Sequence, residues 1–139
     1  MPYSYHIDGT LPRLHEGQVF VFGSNLAGIH GAGAARKAWQ LFGARTGVGR
    51  GRVGDSYAIP TKDGRHGSLR DPSQTLSLLT IEMHVQAFIE HAMWRKDTQF
   101  FVTRIGCGLA GWNDSHIAPM FARSPINCNF AIEWKPYLG

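Results

Sequence analysis

Cysteine is scarce in this chain of 139 residues: Cys107 and Cys128 are the only two. They stand in no CxxC or Cys/His ligand spacing, so neither a disulfide scaffold nor a metal site is indicated, and a pair of free thiols is the simpler reading. Long apolar runs are missing as well. None reaches the roughly 18 residues that a membrane-spanning helix needs, and the N-terminal stretch lacks the pattern of a signal peptide. A cytoplasmic protein is therefore expected. The chain also lacks the Gly-Lys-Ser/Thr ending of a Walker A loop, which disfavours nucleoside-triphosphate chemistry. It holds no internal repeat and no low-complexity segment.

What is present is ordinary globular material. A composition with 43% hydrophobic, 17% charged and 12% aromatic residues lies far from the disordered range. Residues 1 to 139 are expected to form one domain, long enough to bury roughly two-thirds of the unfolded surface in a single core.

The charge is informative in its placement. Arg36, Lys37, Arg45, Arg50, Arg52, Lys62, Arg65 and Arg70 face only Asp55 and Asp63 between residues 36 and 70, a local net of +6, while the other residues sum to −2. One segment thus carries the basic character. It is either a solvated surface or a region that draws a phosphate-bearing ligand or a nucleic-acid backbone.

Periodicity places the elements. The apolar run QVFVF, 18 to 22, is bounded by glycines and reads as a buried strand. Residues 32 to 42 follow as an alanine-rich helix with Ala34, Ala35, Ala38, Trp39 and Phe42 along one face, stopped at Gly43. RTGVGRGRVGD, 45 to 55, reads as a loop, and SYAIP, 56 to 60, as a second strand. TKDGRHGSLRDPS makes a polar connection to a long helix from Thr75 to about Arg95, capped by Thr75 or Ser73. QFFVTRI, 99 to 105, is a third strand. A short helix starting at Asp114 or Ser115 runs to about Ala122, and NFAIEW, 129 to 134, is a final strand. Residues 5 to 7 are an edge-strand candidate before a turn at Asp8 and Gly9. Strands separated by helices imply a mixed or parallel α/β sheet with helices on its faces.

Two glycine-bearing bends follow strands. In the first, Gly28, Gly31 and Gly33 lie between a strand and a helix N-terminus, where outward amides and the helix dipole favour an anion and a side chain would stand in its way. The second is IGCGLAGW, 105 to 112. In an open α/β sheet ligands lie at the carboxyl ends of parallel strands, so two such bends on one rim suggest a diphosphate. His30 can donate to a phosphate, act as a base or simply be exposed. Trp112 can stack on a base or pack in the core. Cys107 has a nucleophile reading, but no histidine partner is identifiable. His84 and His91 read as packing residues rather than metal ligands. Near the C-terminus, Trp134, Pro136 and Tyr137 pack either on a partner chain or on their own sheet.

These residues resemble a known family. FVFGSNLAGIHGAGAA is similar to the asparagine-and-glycine segment of macrodomains, and FFVTRIGCGLAGW resembles their later phosphate-binding loop, in the branch that carries a GCGL core. The likeness runs in order from about residue 18 to residue 134, with YAIPTKD between the two motifs, and suits a compact bacterial or phage type. It implies a three-layer α/β/α sandwich with a mixed sheet that binds ADP-ribose or a related NAD-derived nucleotide, with no metal or cofactor. By the same likeness Asn25 bonds the distal ribose, Gly31, Ala32 and Gly33 approach that ribose and the diphosphate, and Gly106, Cys107, Gly108 and Leu109 donate from the other side. Asp8 corresponds to an aspartate that contacts adenine. One macrodomain class removes ADP-ribose from carboxylates with a lysine, matched here by Lys62, and an aspartate whose place is held by Ala110. Asp114 or Asp63 then stands as the alternative partner of Lys62. The resemblance leaves open a hydrolase of ADP-ribosyl linkages on protein or nucleic acid, a non-catalytic module that senses or sequesters the nucleotide, and a nucleic-acid contact through residues 45 to 52.

Overall fold

The computed structural model describes residues 3 to 13 and 17 to 139. Six strands form one sheet: β1 (Ser4–His6), β2 (Gln18–Asn25), β3 (Gly51–Val53), β4 (Ser56–Lys62), β5 (Gln99–Val102) and β6 (Cys128–Ala131). Their spatial order is β1-β6-β5-β2-β4-β3, with every neighbouring pair parallel except the hairpin of β3 and β4. The helices are α1 (Gly33–Leu41), α2 (Leu78–Met93), α3 (Asp114–Ile117) and α4 (Lys135–Leu138). Helix α1 covers one face of the sheet and α2 with α3 cover the other, a three-layer α/β/α arrangement.

The continuous apolar reading of β2 follows from burial on both faces. Val19 and Val21 join Val85, Phe88, Phe100 and Trp134 in the larger core under α2, whereas Phe20 and Phe22 join Ala38, Phe42 and Phe101 under α1. The α1 core is the smaller. Alanines let that helix sit close over β2, and the rest of its face, towards β5 and β1, is left to a cleft.

The glycine-rich stretch after α1 contains an element that its composition hides. Gly51, Arg52 and Val53 pair with Ala58, Tyr57 and Ser56 as an edge strand, because hydrogen bonding to β4 outweighs weak local propensity. The cap of α2 is Ser77, whose side chain accepts from the Thr80 amide. Thr75 is drawn away and donates to the Ala110 carbonyl, and Ser73 belongs to a 3-10 turn capped by Asp71. The last strand ends at Ala131. A 3-10 turn, Ile132–Trp134, then swings Trp134 into its own core, where it is fully buried.

Three histidines tie stability to pH. Burial pushes His6, which lies stacked on Phe101, below the ordinary 6.5. His84 and His91 on α2 are lowered by burial first and by nearby arginines second. Each therefore takes up a proton less readily when folded than when unfolded. Their contribution is fully present above about pH 6.5 and falls as the pH drops through that value towards the folded values. The urea midpoint is expected to be lower at pH 5.5 than at pH 7.5; an unchanged midpoint would contradict this.

Candidate binding cleft

Strands β2, β4, β5 and β1 run parallel, so their carboxyl ends share one rim. Both glycine bends open onto a cavity of about 1280 Å³ there, with Gly31, Ala32 and Gly33 on one wall and Gly106 to Leu109 on another. Asn25, Lys62 and Asp8 line the same space.

The first wall is built from the end of β2. Asn25 is 5% exposed, and its side chain closes a ring with Ile29: Nδ2 donates to the Ile29 carbonyl at 2.8 Å and Oδ1 accepts from the Ile29 amide at 3.0 Å. The Leu26 and Ala27 amides bond the Lys62 and Asp63 carbonyls, pinning the turn to the end of β4. Behind it packs the arginine-bearing loop. Its Gly47 amide donates to the Gly28 carbonyl at 2.8 Å, Ser24 Oγ donates to the Gly49 carbonyl, and His30 Nε2 faces the carbonyls of Arg45 and Val48 at 3.0 and 3.2 Å. Because both partners are acceptors, Nε2 carries the proton. His30 is thus neither exposed nor on the cleft: it is 7% exposed, edge-on to Phe22, and staples the loop in place.

The three glycines of this bend separate by cause. Gly28, at φ +70°, lies off the cleft, and a Cβ there would stand 2.3 Å from the Gly47 carbonyl carbon. Gly33 takes φ +57° as the chain enters α1. Gly31 has neither constraint and meets nothing within 4 Å. Helix α1 has no side-chain cap and no acid in its first turn, which leaves amide donors and the positive dipole end without a protein partner.

On the second wall Thr103 Oγ1 donates to the Val21 carbonyl at 2.8 Å, and Gly106, at φ +78°, abuts Ile117. Gly108, like Gly31, is outside the left-handed region with nothing within 4 Å of a Cβ. Burial, and after it the neighbouring Asp114 carboxylate, pushes the Cys107 thiol up to about 12. That leaves it protonated near neutral pH, against a nucleophile's role. Trp112 faces away from the cleft, packs against the α2 core and donates from Nε1 to the Leu76 carbonyl at 3.4 Å.

Lys62 is 4% exposed, and its Nζ donates long hydrogen bonds to the carbonyls of Asp71 and Leu109, at 3.4 and 3.5 Å. Neither proposed carboxylate stands beside it. Asp63 is engaged by Arg65 at 2.6 Å. Asp114 lies outside the cleft lining, and although burial raises it, hydrogen bonds from Arg104 and Trp134 hold it below the usual carboxylate range. Arg36, Lys37 and Arg70 of the basic segment also line the cavity, as does Arg104, which sequence reasoning missed. Arg36 and Lys37 lie near the start of a helix that follows a glycine bend, whereas Arg104 had no local signal. Arg45, Arg50 and Arg52 do not line it.

No family model and no curated protein matches the chain. Among solved structures, the macrodomain of Mycobacterium tuberculosis DarG is similar over 90% of this chain and 95% of its own, at 16% identity and a TM-score of 0.58. Thermosipho africanus DarTG, in complex with ADP-ribose, is similar over 85% of this chain at 17% identity and a TM-score of 0.52; the match spans 39% of its length. The sheet order, the helix layers and these likenesses agree: the chain has the macrodomain fold.

Proposed function

We propose that the cleft binds ADP-ribose or a related NAD-derived nucleotide. The observation that carries this reading is the pair Gly31 and Gly108. Both face the cavity, and neither position needs glycine for backbone angle or for space inside the protein. A ligand gripped by bare amides supplies the missing reason. The uncapped start of α1 and the cations Arg36, Lys37 and Lys62 suit a diphosphate. Asn25 keeps one N–H and one lone pair beyond its bonds to Ile29, enough to hold a ribose hydroxyl. Asp8 receives the base. ADP-ribose bound to the similar DarTG supports the choice of nucleotide. Titration calorimetry with ADP-ribose tests it: saturable binding is expected, and no heat at millimolar ligand with folded protein overturns it.

A non-catalytic module is favoured over a hydrolase, because among the described residues the only carboxylate lining the cleft, Asp8, is engaged by Arg104, and Lys62 Nζ bonds carbonyl oxygens rather than a carboxylate. An amine attacks an opened ribose only when something removes its proton. In this reading Lys62 is a buried cation for the ligand, working in the cytoplasm on free or protein-linked nucleotide. Lys62→Ala is expected to weaken binding about tenfold to a hundredfold, the range for a charged hydrogen bond. Release of ADP-ribose from an aryl, carboxylate or nucleic-acid linkage by the unmodified protein, lost in Lys62→Ala, would instead establish the hydrolase. The exposed Arg45, Arg50 and Arg52 support a nucleic-acid contact as a further reading, to be seen as affinity that falls steeply with salt.

A further inference from the structure

Arg104 occupies a junction that neither glycine bend explains. It follows Thr103 just past the end of β5, at the start of the Gly106 to Leu109 wall, and it bonds two carboxylates from distant parts of the chain. Its Nε and Nη2 grip Asp114 at 3.0 and 2.6 Å, and its Nη1 reaches Asp8 Oδ2 at 3.2 Å. Asp114 is itself fixed by the indole N–H of buried Trp134 at 2.8 Å. Asp8 sits in a turn closed by Thr10, whose amide and hydroxyl both donate to the Ile7 carbonyl. The arginine thus connects the core, the phosphate-side wall and the far end of the cleft.

That far end has its own chemistry. Asp8 is the one carboxylate among the described cleft residues, and it stands near His6, which is stacked on Phe101. A carboxylate repels a diphosphate, so a nucleotide enters with its phosphates at the glycine walls and its base towards Asp8. An ionised carboxylate only accepts hydrogen bonds. It therefore welcomes the exocyclic amine of adenine and opposes the ring carbonyl of hypoxanthine. Asp8 is 39% exposed on its side chain, and by itself it would sample several orientations.

Resting on the nucleotide reading above, we propose that Arg104 is a positioning residue for base selectivity: anchored on Asp114, its Nη1 holds Asp8 Oδ2 and leaves Oδ1 as the acceptor for an adenine amine. The pair is partly exposed, so its worth lies in geometry more than in stability. The planar guanidinium serves Asp8 and Asp114 at once from donors on three nitrogens in a fixed geometry, which a compact ammonium reproduces only in part.

The test compares binding of ADP-ribose with binding of inosine diphosphate ribose, in which a ring carbonyl replaces the exocyclic amine. The unmodified protein is expected to prefer adenine about tenfold or more, as a site built around a donor rejects a ligand that lacks it. Arg104→Gln should reduce that preference to about twofold, with Arg104→Lys between. In an Asp8→Ala background, where selectivity is already lost, Arg104→Gln should change the ratio no further, because the two act as one unit. A ratio unchanged in folded Arg104→Gln, or a further change in the Asp8→Ala background, overturns the proposal; if Arg104→Gln does not fold, Arg104→Lys decides it in the same way. Equal binding of both nucleotides by the unmodified protein overturns the role of Arg104 and leaves the nucleotide site standing. Binding of neither overturns the nucleotide reading as well.

Discussion

Gly49→Ala is expected to destabilise the protein by about 3 kcal/mol or more, at the upper end of what added core volume does. A Cβ at Gly49 would lie 1.9 Å from the Asn25 carbonyl oxygen, 2.9 Å from its carbon and 3.2 Å from Leu26 Cα. All three are backbone atoms at the end of β2, so no rotamer change relieves the overlap. Gly49 is also outside the left-handed region, which makes the effect one of space alone. The loop must move off the Asn25 turn and give up the Ser24 and His30 bonds that hold it. For a domain with roughly 5–15 kcal/mol of total stability this is a large share. Gly47→Ala is the control. It lies two residues away at φ +90° with nothing within 4 Å of a Cβ, so it should cost only the left-handed strain, about 1–2 kcal/mol. Urea unfolding of the two variants checks the order. A Gly49→Ala midpoint equal to that of the unmodified protein would mean that the loop does not buttress the turn.

Gly31→Val and Gly108→Val have the opposite profile. Neither position requires a positive φ or meets an atom within 4 Å, so both variants should fold with stability within about 0.5 kcal/mol of the parent. Yet each places a branched side chain on a wall of the cleft, where the nucleotide reading puts a phosphate against bare amides. Loss of the amide contacts at either wall is expected to weaken ADP-ribose binding about a hundredfold or more, since charge-assisted bonds to an anion are the strong ones. The measurement is calorimetry on variants whose melting matches the parent. Affinity within twofold in both would show that the phosphates lie elsewhere.

These two experiments separate glycines that look alike in the sequence. GAG and GVGRG are both short glycine clusters beside basic residues, and composition treats them as the same kind of flexible turn. In the structure one cluster faces an open cleft and the other is packed backbone against backbone. The difference arises from contacts across the fold, between Gly28 and Gly47 and between Asn25 and Gly49, and no local pattern carries it. The same holds for His30, which reads as a phosphate donor, a base or an exposed loop residue and is a buried staple in the structure. Asp114 reads as a free acid near the second bend and proves to be taken by Arg104 and Trp134. Trp112 is likewise placed off the cleft by its bond to Leu76.

The sequence alone determined what is periodic or local. The apolar runs of β2 and β5, the alternating threes and fours of α2 and the alanine face of α1 each follow from burying one stripe or both faces of an element. Alternation of strands and helices then settled the α/β class, and the positions of two bends after parallel strands foretold a shared rim. Tertiary structure decided which polar groups remain available there. Asp63 and Asp114 found cationic partners, Asp8 was drawn to Arg104, and Lys62 Nζ bonds the carbonyls of Asp71 and Leu109. A side chain's periodicity is set by its own element, but its partners are set by residues as far off as Asp8 and Arg104 that meet only when the sheet closes.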